Sequence, residues 1–165
     1  MSELALNKPR ILPPKGLLIA LAAQLPILVS SASLRPGFAE IAAGVVFLAA
    51  GVLLNVRAER LFRRNSVGVC PFSNVPVLIV SGPYRFSRNP MYLSLVCLNL
   101  GPTLLSGALA NLWSSIALFM WLHYEFVLPE EVFLRYKLGA TFDEYAKRVP
   151  RWFWRPHAYR EGRDQ

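Results

Sequence analysis

Long uncharged runs organise this chain. Residues Gly16–Leu34 hold 19 positions without a charge. A second apolar run covers Gly37–Val56, with Glu40 near its outer end. From Asn89 to Tyr124 come 36 residues with no formal charge. Each run is apolar on all sides, as expected where lipid replaces water. Half of the longest run, at ~1.5 Å per residue, reaches roughly 27 Å, just enough for a ~30 Å hydrocarbon core. It therefore predicts two helices joined by a turn near Ser106–Asn111. Backbone groups in lipid must be satisfied within the segment, so the spans are helical. The expected fold is an all-α integral membrane protein with about four transmembrane helices, followed by a cytoplasmic amphipathic helical segment.

The polar stretches divide the chain as one membrane domain over 1–165. Residues 1–15, with Pro9, Pro13 and Pro14, read as a tether, 16–56 as the first two spans, and 57–88 as a cytoplasmic loop. A helical hairpin over 89–128 and a cytoplasmic segment over 129–165 follow. Arg35-Pro36-Gly37 predicts a tight turn. Gly44 and Gly51 are small positions suited to close helix packing. Val77–Val80 is apolar enough to lie in the membrane interface, and Ser81–Tyr84 reads as a turn. Pro90 suits a helix first turn, while Gly101-Pro102 predicts a kink or an end. Beyond Pro129 an amphipathic helix stops at Gly139. Thr141 and Glu144 suggest a capping box for a short helix closed by Pro150. Trp152, Phe153 and Trp154 read as an interfacial anchor. The first span starts too late and runs too long for a removable signal peptide.

Composition agrees with this layout. Hydrophobic residues make up 54% of the 165 positions and charged ones only 17%, against about 25% in soluble domains. The net charge is +8, and its placement matters more than its size. Of 18 Lys and Arg, only Arg35 falls in an outer loop. The positive-inside rule then gives a multi-pass protein with both termini cytoplasmic. Most of these bases are expected to meet anionic lipid headgroups, and nucleic acid is a poor partner for charge that flanks spans. Cys70 and Cys97 are too few and too isolated for a zinc site or a disulfide framework, and no metal is expected.

Two clusters carry candidate chemistry. The segment Gly82–Tyr92, GPYRFSRNPMY, holds Arg85 and Arg88 with Tyr84, Asn89 and Tyr92. The other cluster is Glu130-Glu131, at the cytoplasmic end of the hairpin. The short outer turn returns the chain to the same side, so the two clusters fall within side-chain reach. Arginine presents a planar fork matched to carboxylate or phosphate. Adjacent glutamates can take an ammonium and hydroxyls, so the pair suits a ligand with α-amino and α-carboxylate groups. Aromatic faces at Tyr84, Tyr92, Tyr124 or Tyr136 can stabilise a sulfonium or quaternary cation. The plainer readings stand beside these. Glu131 and Arg135 are spaced for an ordinary i,i+4 surface pair, and Arg85 and Arg88 each suit headgroups. His123 reads as a hydrogen-bonded interfacial histidine, and His157 as solvated tail.

GPYRFSRNPMYLS, an apolar hairpin and PEEVFLRYKLGATFDEYAKRVPRW together resemble the isoprenylcysteine carboxyl methyltransferase family. They are similar also to the related phospholipid N-methyltransferases. The resemblance spans Cys70–Trp154. It implies a membrane methyltransferase using S-adenosyl-L-methionine held on the cytoplasmic side. A lipophilic or prenylated substrate enters from the bilayer, among membrane lipids. By motif position, Arg88, Asn89, Pro90 and Tyr92 match the arginine-histidine-proline-x-tyrosine element. Arg85, Arg88 and Asn89 become the candidate catalytic residues. Tyr92, Glu130, Glu131, Tyr136, Tyr145 and Arg148 become the candidate cofactor contacts. Asn89 stands where many members have histidine, and an amide does not accept a proton. The expected acceptor is therefore an amphiphilic carboxylate, already ionised, giving O-methylation. A phospholipid amine and a non-catalytic lipid-binding scaffold are the competing readings.

Overall fold

The computed structural model describes residues 11–30, 35–64 and 78–152. All regular structure among them is helical. The helices are α1 (Pro13–Ser30), α2 (Phe38–Arg64), α3 (Pro90–Leu105), α4 (Leu112–Leu122), α5 (Leu128–Leu138) and α6 (Ala140–Arg148). Two of them, α1 and α2, are long and apolar enough to cross a membrane; α3 is a shorter apolar helix.

α1 turns the soluble pattern inside out. Leu18, Ile19, Leu25 and Val29 are exposed, whereas Gly16 and Gln24 are buried. Lipid costs an apolar side chain nothing, so polar groups and close backbone approaches define the inner face. A Cβ on Gly16 would lie 2.1 Å from the Trp121 ring, so only glycine lets α1 meet α4 there. Gln24 enters a buried amide and hydroxyl network. Its Nε2 donates to the Asn99 carbonyl (3.1 Å) and Ser114 Oγ (2.9 Å), and Thr103 donates to its Oε1 (3.3 Å). Ser114 and Ser115 both donate to Asn99 Oδ1. This network ties α1 to α3 and α4.

α2 is the α3 partner. Gly44 and Gly51 let its backbone approach Leu105 and Leu98, and Gly101 of α3 receives Leu48 in return. Small residues at these positions pack helices, as the sequence implied. α2 continues past Val56 to Arg64, carrying an Arg63–Glu59 pair at 2.7 Å. The first turns of the expected loop are thus helix. At its start, the Glu40 carboxylate accepts the Gly37 amide at 2.6 Å, capping the helix.

The remaining helix boundaries refine the sequence reading. α3 runs through Gly101-Pro102 and ends at Leu105. The Thr141 capping box does not form: α6 starts at Ala140, next to Gly139 at φ +54°. Pro129 lies in the first turn of α5, which ends before Gly139 as expected. α4 passes into α5 through a π turn, His123–Val127, where the Leu128 amide bonds the His123 carbonyl. Proline lacks an N–H and crowds the carbonyl four residues back. A wider turn just before it accommodates both defects.

Leu78–Val80 packs between α2 and the C-terminal helices. Ile79 is buried against Ala58 of α2 and Tyr84, while Leu78 and Val80 pack on Phe142, Tyr145 and Val149 around α6. Alternate side chains of this extended segment therefore join α2 to the C-terminal helices. Cys97 is a buried packing residue; Cys70, Val77, Phe153, Trp154 and His157 lie outside the described residues.

Candidate functional site

The GPYRFSRNPMY segment enters through a 3-10 turn, Gly82–Arg85, with Gly82 at φ +58°. A Cβ at Gly82 would meet Leu61 at 2.8 Å. The turn buries Tyr84 and leaves Arg85 and Phe86 exposed. Arg88 then points inward, with its side chain only 12% exposed. Asn89 precedes α3, and Pro90 fills the first turn without an unmet N–H.

α3 and the α4–α5 run bring the two sequence clusters together. Arg88 Nη1 lies 3.3 Å from Glu131 Oε1. The Tyr92 hydroxyl donates to Glu130 Oε2 at 3.0 Å. Enclosure by protein pushes the Glu130 carboxyl up to about 7; the Tyr92 hydrogen bond opposes this, and the charge of Glu131 adds to it. The adjacent acids therefore differ. Glu130 is partly exposed and poised near neutrality, whereas Glu131 is buried and bound by arginines.

The main partner of Glu131 is Arg151, a residue outside the candidate set. Arg151 Nε and Nη2 donate to the two carboxylate oxygens at 3.0 and 2.7 Å. This fork keeps the Arg151 guanidinium more firmly protonated than usual. Arg135 bonds Asp143 instead at 2.8 Å, so the i,i+4 reading of Glu131 fails. Burial lowers the pKa of Arg88, and Glu131 works against that. Arg88 Nε is buried and has no hydrogen-bond partner among the described residues.

Asn89 faces the same chain segment. Its Nδ2 donates to the Arg151 carbonyl at 3.0 Å, and Ser87 Oγ donates there at 3.3 Å. The Arg88 amide donates to the Pro150 carbonyl at 3.0 Å. Trp152 completes this strap. Its indole donates to His123 Nδ1 at 3.2 Å and its ring lies 4.6 Å from Phe119. Trp152 thus packs on the bundle, and His123 is indeed hydrogen-bonded. The signal for Arg151 was the VPRW sequence itself: an arginine between a helix-ending proline and a tryptophan. Its partner is distant in sequence, so spacing gave no sign of it.

The remaining candidates divide. Tyr145 is buried, and its hydroxyl donates to the Tyr84 carbonyl at 2.8 Å. Burial holds both phenols above their ordinary range. Tyr145 therefore buttresses the turn that carries Arg85 and Arg88. Tyr136 is 77% exposed, and Arg148 is also on the surface. The Tyr136 side chain thus lies away from the buried Arg88–Glu131 pair.

This arrangement offers an anion a buried guanidinium and offers a cation or a proton the Glu130 carboxyl. No curated protein and no solved structure matches the chain. A family model for phospholipid methyltransferases matches residues 39–141, from the start of α2 to the start of α6. That range takes in the second span, ahead of the Cys70–Trp154 motif resemblance, and includes Arg88, Asn89, Tyr92, Glu130 and Glu131. With well over half of its length matched and its site residues gathered at one end of an apolar bundle, the chain belongs to the phospholipid methyltransferase family of membrane methyltransferases.

Proposed function

We propose that the protein is an S-adenosyl-L-methionine-dependent methyltransferase that methylates the carboxylate of an amphiphile in the membrane. The observation that carries this reading is Arg88: buried, cationic and holding a hydrogen-bond donor with no partner among the described residues. A carboxylate is the natural complement of such a donor. The residues also fit the cofactor, since Arg88 suits its carboxylate and Glu130 its ammonium, with Tyr92 holding Glu130 in place. When bound, that cofactor supplies an electrophilic methyl group on a sulfonium.

The chain's own residues then do four things. Arg88 orients an anionic group. Glu130 binds a cation or holds a proton. The Tyr84, Tyr92 and Tyr145 walls exclude water, which strengthens each polar contact. Asn89, whose amide is committed to the Arg151 carbonyl, fixes the strap instead of moving a proton. An ionised carboxylate acceptor needs no base, so positioning and desolvation supply the acceleration. We place the site at the cytoplasmic face of four spans, with both termini on that side, as the distribution of basic residues suggests. A prenylcysteine-like acceptor fits the motif order.

A second reading has its own observation. The Glu130 carboxyl, held by the Tyr92 hydroxyl and pushed up to about 7 by burial, is suited to take the proton that an amine must lose before methylation. This favours a phospholipid amine. The discriminating experiment supplies methyl-labelled cofactor to the protein with a prenylcysteine analogue or with phosphatidylethanolamine vesicles. The carboxylate reading expects label released as methanol by mild base, and base-stable label would replace it with N-methylation. In either case Glu130→Gln should weaken cofactor binding about tenfold, the scale of a lost charged hydrogen bond. Folded protein that binds no cofactor would leave only a lipid-binding scaffold.

A further inference from the structure

Resting on the methyltransferase reading above, we propose that Arg151 is a positioning residue that keeps Arg88 available to an anion by drawing Glu131 away from it. Three charged groups meet here: two guanidiniums and one carboxylate. Their sum is one net positive charge, with Arg88 and Glu131 buried and Arg151 at their solvent side, 37% exposed. The sharing is unequal. Arg151 takes both oxygens of Glu131 in a fork, at 3.0 and 2.7 Å. Arg88 keeps a single 3.3 Å approach and one buried Nε without a partner among the described residues. A bidentate pair is the stronger of the two. Without Arg151, Arg88 would be the one close cation left to Glu131 among the described residues, and a tight pair between them would quench the anion site.

The strap is built to hold Arg151 in that role. Its carbonyl receives Asn89 and Ser87, the preceding carbonyl receives the Arg88 amide, and the next side chain is fixed by His123 and Phe119. Asn89 thus acts on the same arrangement from the other side. The anion served is a carboxylate, from the cofactor or from the methyl acceptor.

The test is a double-variant cycle on full-length protein in detergent. S-adenosylmethionine and its decarboxylated analogue are titrated calorimetrically, and the acceptor KM is measured with labelled cofactor. Arg151→Ala should weaken recognition of the anion about tenfold. If the cofactor carboxylate is the anion, the loss appears in the Kd for S-adenosylmethionine and not for the decarboxylated analogue. If it belongs to the acceptor, the loss appears in KM while both Kd values hold. In the Glu131→Gln background, removing Arg151 should cost nothing further, because no acid remains to divert. Thermal melts of each variant accompany the titrations. Should Arg151→Ala alone fail to fold, the comparison within the Glu131→Gln background carries the test. The proposal is overturned if Arg151→Ala keeps wild-type Kd and KM, or if its loss is as large in the Glu131→Gln background as with Glu131 in place. Wild-type protein that binds neither probe would overturn the methyltransferase reading itself.

Discussion

At the scale of single residues, the adjacent acids show how little a sequence position says about a side chain's chemistry. Glu130 and Glu131 read as an equivalent pair. Successive residues on a helix point about 100° apart, and here that rotation hands one to Tyr92 and the other to two arginines. The consequence is testable through pH. The Glu130 pKa is raised to about 7 in the fold, against about 4.3 in an unfolded chain. Between those values the native state holds a proton that the unfolded chain lacks, so stability falls as pH rises through that window. Glu130→Gln should flatten the fall, giving a higher melting temperature than wild type at pH 8 and little difference at pH 4. Tyr92→Phe removes the hydrogen bond that favours the ionised form, so it should move the end of the fall above pH 7. Melts in detergent across this range check both. The arginines illustrate the opposite lesson: Arg88 was legible from its motif, whereas Arg151 was not, because its partner is Glu131 on a different element.

At the scale of elements, the hydrophobic runs located α1, α2 and α3 well, since lipid selects composition directly. Polar and glycine positions then set how those helices meet. Gly51 sits where a Cβ would lie 2.8 Å from Leu98 Cγ and 3.1 Å from the Ser94 carbonyl. A backbone oxygen in a packed helix does not yield, so Gly51→Val should destabilise by about 1–3 kcal/mol. A clear drop in melting temperature is expected beside Gly37→Ala, whose nearest neighbour is 3.8 Å away. Pro129 stands in the first turn of α5, as a proline after an apolar run ordinarily does. Here the π turn before it lets one helical run continue from α4 into α5. That continuity places Glu130 and Glu131 on the same helical run as the α4 residues packed in the bundle.

At the scale of the whole molecule, one end of the bundle concentrates the chemistry. Gly82–Tyr92, Glu130, Glu131, Tyr145 and the 149–152 strap all gather there, while the Gln24–Asn99–Ser114 network closes the interior toward the other end. The proposed topology, four spans with cytoplasmic termini, gives a definite labelling pattern. In a Cys70→Ser background, Leu109→Cys should react with an impermeant maleimide added outside sealed cells, and Tyr136→Cys only after the cells are opened. Both positions are exposed in the structure, at 46% and 77%, so sidedness alone should decide the outcome. The sequence by itself determined the membrane class, the helical content and the meeting of the Arg88 and Glu130 clusters. Those follow from hydropathy, charge and the short connection of the hairpin, all local or nearly local properties. Only the tertiary structure decided which acid each arginine takes, that Asn89 serves the strap, and that Trp152 packs inward. These depend on contacts between residues far apart in the chain, where direction and burial, and no spacing in the sequence, select the partner.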